Sequence, residues 1–537
     1  MEAKVPISVV ILAKNEAGRI RACIESVLWA TEVLVIDDES TDDTASIAES
    51  LGARVVRRKM DIEGKHRNWA HAQAANEWIL SVDADERVTP ELAEEIKALF
   101  QAQPPCELYS FPRRNYIGSH WIRYGGWYPS VQVKLFKRSI FRWEETTVHP
   151  RAFSNSPEGV LKSDLIHYTY RDLKDFVDKL NRQTTLEAQK WILDGRHVSL
   201  GKMLWRSLDR FGRAYRGKQG YRDGELGFIL AVMGGMYQFI SFAKYWERQY
   251  LSDDGLRAAV KHEKNGRIPM LQTNALTPLS CVVITKNEAK RVETLLDSLP
   301  DGAEIIVIDD LSSDGTAELC RSYGAKVLVH SSGGDFDQQR NRGIDAATRS
   351  WVLQLDADEV LPESLAREIK EKIDNPGAAS AFRISRRNYF LGKEMRYGGW
   401  HGQQMVKLFR KDKGRYVGHS VHETIEITGP IDSFREAVNH YPFESIGQFV
   451  ARQNFYSTIE AGVMRQKLGA LTEKRLHNQL RRSMRRTFFK IFIKKWGWRD
   501  GMHGFIFAVL YGWVDFLKWA KYWEGLYLQP AANGEQQ

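Results

Sequence analysis

The chain has 537 residues, too many for one ordinary core, so two or more domains are expected. Hydrophobic residues make up 43% and charged residues 27%, which excludes a disordered chain. Lys and Arg outnumber Asp and Glu by 77 to 68, a net charge of +9 that favours an anionic partner. The four cysteines (Cys23, Cys106, Cys281, Cys320) contain no Cys-x-x-Cys pair, which suits a reducing compartment and argues against a thiolate zinc site or a disulfide framework.

The first segment, MEAKVPISVVILAKNE, lacks a signal peptide's apolar core and cleavage site and is expected to form the first strand of a domain. ISVVILA leads into helical AGRIRACIESVLW, EVLVIDD into TASIAESLG, and ARVVRR through RNWAHAQAAN into EWILSVDADE. Near-continuous β-branched runs alternating with amphipathic helices predict an α/β fold with a mostly parallel sheet covered on both faces. Ligands of such sheets bind beyond the carboxyl ends of the strands, where the acidic residues of this chain sit. A dinucleotide fingerprint is absent: LAKNEAGR has one glycine and ITKNEAKR none.

The whole pattern is then written again. SVVILAKNEAGRI returns as SCVVITKNEAKRV, VLVIDDESTDDT as IIVIDDLSSDGT, and RRNYIGSHWIRYGGW as RRNYFLGKEMRYGGW. The offset is 272 residues from Asp37 to Asp309 and 273 from Asp85 to Asp358, so the repeat is a tandem pair of domains rather than a solenoid. The predicted partition is a first domain over 1–175, a helical segment over 176–260, a linker over 261–278, a second domain over 279–447 and a helical tail over 448–537.

In an extended strand, residues i and i+2 project to one side, which places Asp83 with Asp85 and Asp356 with Asp358. Two carboxylates that close repel unless a cation, proton or donor lies between them. Oxygen ligands at an open site suit Mg²⁺ or Mn²⁺; the alternative is a strand end whose carboxylates cap a helix or pair with lysine. The pairs Asp37/Asp38 and Asp309/Asp310 end the second strand, where a carboxylate can accept from a base N–H or a ribose hydroxyl. Helix capping is the competing use, with Ser40 or Thr41 as the cap. His167 in LIHYTY and His440 in VNHYPF recur, as structural hydrogen-bonders or as contacts to a metal or diphosphate. The YGGW turns place Trp127 and Trp400 where they would stack on an acceptor sugar or pack as core residues of a tight turn.

Taken together, KNEA, IDD-x-S-x-D-G-T, RN ahead of W…DADE, RRNY, YGGW, KLF and VHE resemble the inverting family 2 glycosyltransferases of the GT-A fold. Within them the closest likeness is to the lipopolysaccharide core β-glucosyltransferase (WaaE/KdtX) group, over about residues 6–170 and 279–445. The resemblance implies that Glu16, Glu288, Asp38 and Asp310 contact the nucleoside of a nucleotide-sugar donor, a UDP-sugar above others, alongside Asp37 and Asp309. It implies that Asp83 and Asp356 act on the ribose or around the metal, that Asp85 and Asp358 ligate Mg²⁺ or Mn²⁺, and that Arg67 and Arg340 lie near the nucleotide. The acceptor hydroxyl needs a base, and HSVHETIE offers Glu423, with His422 beside it. The first copy reads TTVHPRAF, with Pro150 in place of Glu423. Glu144, Glu145 or His149 would substitute there, or that domain uses another acceptor, or it is a non-catalytic module that binds donor or acceptor.

Each half ends in a basic and then an aromatic-apolar stretch, the second reading RRSMRRTFFKIFIKKWGWRDG and GFIFAVLYGWVDFLKWAKYWE. Leu226–Ala243 is uncharged and long enough to be a minimal membrane span, yet one crossing there would put the two domains on opposite sides. The expectation is therefore helices lying at an anionic membrane surface, with ordinary amphipathic packing as the alternative. The expected enzyme works at the cytoplasmic membrane face on a lipid-linked or lipopolysaccharide-type glycan. Nucleic acid is not an expected partner, because the positive charge concentrates in the tails and DADE ends repel phosphates.

Overall fold

The structure is a computed structural model and describes residues 4–145, 151–154, 156–252, 278–417 and 425–528. The first half builds a seven-stranded sheet in the order Glu158–Val160, Leu108–Phe111, Gln132–Lys137, Trp78–Asp83, Val5–Ala13, Ala30–Asp37, Arg54–Arg57. Four of its strands run parallel, with Val5–Ala13 hydrogen-bonded between Ala30–Asp37 and Trp78–Asp83. Gln132–Lys137 is antiparallel to both of its neighbours. The central run VVIL is buried on both faces, which is why it lacks alternation: Val9 and Ile11 enter one core, Val10 the other.

The second half repeats the order as Lys326–Val329, Glu304–Asp309, Leu279–Thr285, Trp351–Asp356, Gln404–Arg410 and Ala381–Phe390, and its sheet continues through Ile431–Phe443 to Glu359–Val360. In the first half the corresponding edge forms a separate four-stranded sheet, Glu86–Val88, Leu165–Tyr170, Arg113–Ile117 and His120–Trp121. Either way, the strand carrying the histidine pairs antiparallel with the short strand after the Asp-x-Asp: Glu86 faces His167, and Glu359 faces His440.

The described residues fall into two compact units, within Met1–Trp246, Val450–Ser483 and Val514–Gln537 for the first and Glu247–Phe449 and Met484–Trp513 for the second. Sequence order attached 448–537 to the second domain; two of its segments group with the first. Hydrogen bonding in the first unit shows how. Lys244 is buried and donates to the carbonyl and side-chain oxygens of Asn181 and to Thr184 and Thr185. Lys521 does the same with Asn454, Ser457 and Thr458. Glu524 accepts from the Leu173 N–H at 2.5 Å, filling an orphan donor at the start of the helix Leu173–Leu193. In the second unit Glu247 accepts from the Ile446 N–H at 3.0 Å.

The helix Gly224–Ser252 contains the one described segment long and apolar enough to cross a membrane, yet 78% of that apolar window is buried within the protein. All four cysteines are free and three are buried.

Candidate active site

The donor end of each site is a latch between two loops. Beyond the strand Val5–Ala13, Asn15 takes a left-handed φ of 53°, which asparagine tolerates better than most side chains. Its N–H donates to Ser40 Oγ (2.9 Å), the Glu16 N–H to Thr44 Oγ1 (2.7 Å) and the Ala17 N–H to Asp42 (3.1 Å). The second copy repeats each bond from Asn287, Glu288 and Ala289 to Ser312, Thr316 and Asp314. Ser40 and Thr41 do not cap the following helix: it begins at Thr44, and the serine and threonine are used to hold the KNEA loop. Glu16 and Glu288 are thereby fixed at the rim.

The two members of each Asp-Asp pair have different work. Asp37 is buried and accepts from the Ser40 N–H (3.2 Å); Asp309 accepts from Thr285 and from the Ser312 N–H. These shape the turn. Asp38 and Asp310 are paired with Lys14 and Lys286 at 2.9 Å and receive the N–H of Met60 and Ser332. Burial pushes both carboxyls up, but the backbone and lysine donors outweigh it and hold them below the usual carboxylate range. Both are ready acceptors.

The Asp-x-Asp needs a correction. The extended strand on which the same-side argument rests ends at Asp83, and Ala84–Asp85 form a turn, so the two aspartates of the triplet have different partners. Asp83 binds Arg67 (3.1 Å) and Lys134 (3.0 Å), and Lys134 also reaches the fully buried Glu86 at 2.7 Å. Asp356 binds Arg340 (3.1 Å), Arg386 (2.5 Å) and Lys407 (3.2 Å). Burial works against these charges, yet Arg67 and Lys134, or Lys407, Arg340 and Arg386, hold the aspartates ionised far below the ordinary range. Arg67 and Arg340 are thus not surface charges; they position the aspartates. Asp83 still exposes 27% of its side chain and Asp356 20%, enough for one further contact.

Asp85 and Asp358 face the histidines instead. His167 Nε2 lies 3.6 Å from Asp85, and His440 Nε2 3.5 Å from Asp358. The other ring nitrogen is tied to an asparagine: His167 Nδ1 to Asn115 Oδ1 at 2.8 Å, His440 Nδ1 to Asn388 Oδ1 at 2.6 Å. Those asparagines donate in turn to the carbonyls of Trp127 and Trp400. The chain Trp C=O, Asn, His aims Nε2 at the carboxylate. Burial lowers His440, so its imidazole is neutral and able to ligate near pH 7.

Trp127 and Trp400 hold this chain through their carbonyls while their rings pack. Trp400 lies against Phe443, Phe507 and Tyr511, and Trp127 against Tyr170. The glycines before them serve close approach: Gly126 (φ +87°) and Gly399 (φ +82°) lie under Lys218 and Lys495, and a Cβ there would sit 2.5 and 2.2 Å from the lysine stem. Tyr124 and Tyr397 donate their N–H groups to Asp223 and Asp500 of the tails.

One carboxylate and one oriented imidazole per site form an open donor set. Among the described residues no group of three or more His, Cys, Asp or Glu makes a closed cage. An open O/N set suits a cation that keeps positions for phosphate and water, and the imidazole favours Mn²⁺ over Mg²⁺. Glu423, His422, His149 and Pro150 lie outside the described residues. Glu144 and Glu145 sit by the ribbon Arg142–Trp143 with Ala152–Phe153, Glu145 beside Arg142 at 3.5 Å. Sequence reasoning quoted the motifs of Asn115/Asn388, Lys134/Lys407, Glu86/Glu359 and Arg113/Arg386 without assigning them roles; recurrence of RRNY, VKLF and DADE in both copies was the signal.

Comparison with known proteins gives the same reading. The family model "Glycosyl transferase family 2" matches residues 8–157 and again 280–426. An uncharacterized glycosyltransferase of Rickettsia typhi is 24% identical over 287 residues, 49% of this chain and 98% of its own length. The lipopolysaccharide core biosynthesis glycosyltransferase LpsC of Rhizobium meliloti is 27% identical over 262 residues, 47% of this chain and 96% of its own. Among solved structures, glucosyl-3-phosphoglycerate synthase from Mycobacterium tuberculosis with Mn²⁺, UDP and glucosyl-3-phosphoglycerate aligns at 25% identity over 20% of this chain and 44% of that one, TM-score 0.19. With the family model covering most of both α/β halves, the chain belongs to glycosyl transferase family 2, present here as two tandem copies.

Proposed function

We propose that the chain transfers a sugar, with inversion, from a nucleotide-sugar donor to a lipid-linked or lipopolysaccharide-core glycan at the cytoplasmic membrane face. The observation that carries it is the twice-built Asp–His pair, oriented by asparagine at the carboxyl edge of a parallel sheet. Asp38 and Asp310 hold ionised carboxylates for a nucleoside N–H or hydroxyl. Asp83 and Asp356, locked by arginine and lysine, offer their exposed oxygen to the donor. Asp85 with His167 and Asp358 with His440 would hold Mn²⁺ or Mg²⁺, which when bound supplies charge to stabilise a departing diphosphate. Inversion needs a base on the face opposite the leaving group, and Glu423 is the candidate in the second copy. A relative named for lipopolysaccharide core biosynthesis supports the acceptor class.

Membrane attachment is supported by the tail surface. The helix Leu200–Gly212 exposes Trp205 (70%) and Leu208 (69%) alongside Arg206 and Arg210, and Phe489, Ile493, Trp496 and Trp498 are exposed among lysines and arginines in the second tail. Sedimentation with anionic vesicles that is lost in W205S/L208S tests it; unchanged sedimentation refutes it.

The test of catalysis is Asp85→Asn against Asp358→Asn in the full chain, with Mn²⁺ and a panel of UDP-, GDP- and dTDP-sugars. Transfer surviving both substitutions refutes the site. Loss from Asp358→Asn alone makes the first copy a binding module, a reading that the Pro150/Glu423 difference favours.

A further inference from the structure

The copies share the lysine, glutamate and aspartates of the donor side, with Met60 and Thr41 replaced by Ser332 and Ser313, and differ in charge on the rim next to Asp85 and Asp358. Counting from the matched histidines, Arg87, Arg171 and Asp175 of the first copy stand where the second has Val360, Glu444 and Gln448, a local charge of +1 against −1. Sheet pairing confirms the first equivalence: Arg87 faces Ile166, and Val360 faces Asn439, each one residue before the histidine. The next helix keeps a cation in both sequences, Lys179 and Arg452.

The differences reorient an arginine both copies possess. In the first copy Arg19 points inward, its guanidinium 3.9 Å from Asp85 and 4.0 Å from Glu16. Arg87 supports it by donating to the Arg19 carbonyl at 2.6 Å while lying over the Tyr168 ring. Lys179 donates to the Thr169 carbonyl (2.7 Å), and the Thr169 hydroxyl touches His167 Nδ1. Lys179 acts electrostatically on Glu16 and Asp85, and Arg171 on Glu16. In the second copy Arg291 is drawn to Glu444 (2.5 Å), to Gln448 (2.6 Å) and to the Tyr441 carbonyl. Both arginines touch the KNEA glutamate, Arg19 at 4.0 Å from Glu16 and Arg291 at 3.7 Å from Glu288; Arg19 has Asp85 as its second carboxylate, and Arg291 has Glu444, where the first copy carries Arg171.

We infer that the two sites take acceptors of different charge: the first, where Arg19 and Arg87 are joined by Arg171 and Lys179, which share Asp175 at 3.8 and 3.6 Å, receives an acceptor bearing a phosphate near the reacting hydroxyl, and the second an uncharged acceptor sugar. This rests on the glycan-transfer reading above. The donor diphosphate does not explain the asymmetry, because both copies carry the same donor-side lysine, glutamate and aspartates and would meet the same anion. The part of the substrate free to differ is the acceptor.

The test uses the full chain with Mn²⁺ and the best donor of the panel. Asp358→Asn reports the first site, and Asp85→Asn the second. Acceptors are deep-rough lipopolysaccharide, native and after removal of its phosphates with hydrofluoric acid. The first site should lose at least about tenfold in kcat/KM on the dephosphorylated acceptor and the second less than about twofold, the size expected for a close charge pair. Arg171→Glu, at a position 75% exposed and tolerant of change, should erase the first site's preference. If the first site binds without transferring, calorimetric titration of the two core oligosaccharides, with and without Arg171→Glu, carries the same expectation. Equal ratios at both sites overturn the inference. So does a tenfold difference in UDP affinity between sites without an acceptor effect, which would assign the cations to the diphosphate. Absence of transfer to either acceptor by the unmodified chain instead sinks the glycan reading itself.

Discussion

Replacing Lys134 with methionine, and Lys407 likewise, makes a paired experiment on the buried charges behind the Asp-x-Asp. Each ammonium bridges an aspartate and a fully buried glutamate: Lys134 to Asp83 and Glu86, Lys407 to Asp356 and Glu359. Both lysines are 4–6% exposed, so removing either leaves carboxylates that water does not rescue. Losing one partner of such a buried cluster costs about 3–5 kcal/mol. The copies should not respond equally. In the second, Arg386 already reaches both carboxylates, Asp356 at 2.5 Å and Glu359 at 2.7 Å, and remains in place when Lys407 goes. In the first, Arg113 reaches Glu86 at 3.3 Å and Arg67 holds Asp83 at 3.1 Å, so among the described residues neither guanidinium bridges the two carboxylates. Lys134→Met should therefore show the full loss, and Lys407→Met about 1–2 kcal/mol, the scale of one charged hydrogen bond. Two units can unfold separately, so a single melting curve does not resolve them. Hydrogen exchange read on peptides covering 78–88 and 351–361 does, with each 1.4 kcal/mol appearing as a tenfold loss of protection. Equal losses, or a larger one at Lys407, would refute the argument that Arg386 backs up the second cluster.

Asn115→Ala and Asn388→Ala should each lower kcat at their own site about 10–100-fold with little change in donor KM, because the imidazole loses its orientation and not its chemistry; unchanged kcat refutes the positioning role. Chelation should abolish transfer, and Mn²⁺ should restore it better than Mg²⁺, measured by release of nucleoside diphosphate. Gly126→Ala should destabilise by about 1–3 kcal/mol in urea titration, since alanine is strained at a φ of +87° while the exposed end of Lys218 can move aside. Burial pushes Glu524 up to about 7 from 4.5, so in that window the folded chain holds a proton the unfolded chain has released. Its stabilising share is complete below pH 4.5 and is lost as pH rises through 7, at most about 3 kcal/mol; Glu524→Gln should flatten that part of the urea-midpoint profile.

The sequence displayed what is local or repeated. Val9–Leu12 and Val282–Ile284 are apolar without alternation because both faces are buried, and that pattern marks parallel strands without any contact being known. Asp38, Asp85 and their counterparts were visible because a carboxylate at a strand end has few uses. What stayed hidden depends on distant partners. Lys134 lies 51 residues from Asp83, and VKLF gives no sign that its lysine points inward. Glu524 serves the Leu173 N–H across 351 residues, so its place in the first unit could not be read from order along the chain. Ser40 and Thr41 carry the letters of a helix cap, yet the KNEA loop competes for the same hydroxyls and wins. Trp127 and Trp400 drew attention for their rings, and the bonds of their carbonyls to Asn115 and Asn388 were not legible in YGGW.

Duplication within one chain separates what the chemistry demands from what a substrate demands. Both copies share the strand order of the parallel half of the sheet and the pairing of the histidine strand with the short strand after the Asp-x-Asp, although the first breaks its edge into a separate four-stranded sheet. The latch, the lysine-paired aspartate, the Asp–His–Asn chain and the lysine under the Asp-x-Asp are kept in both, as expected of groups that handle a common donor. The rim is not kept: arginine becomes glutamate at 171/444 and valine replaces arginine at 87/360, and the guanidinium of residue 19 or 291 turns accordingly. Losing any one charge of the buried Asp–Arg–Lys cluster leaves the others unpaired, so the fold alone demands its retention in the first copy, and the cluster by itself does not report a ligand. The rim carries no such demand, which makes the charge preference of the first site, measured beside the second in one chain, the decisive observation.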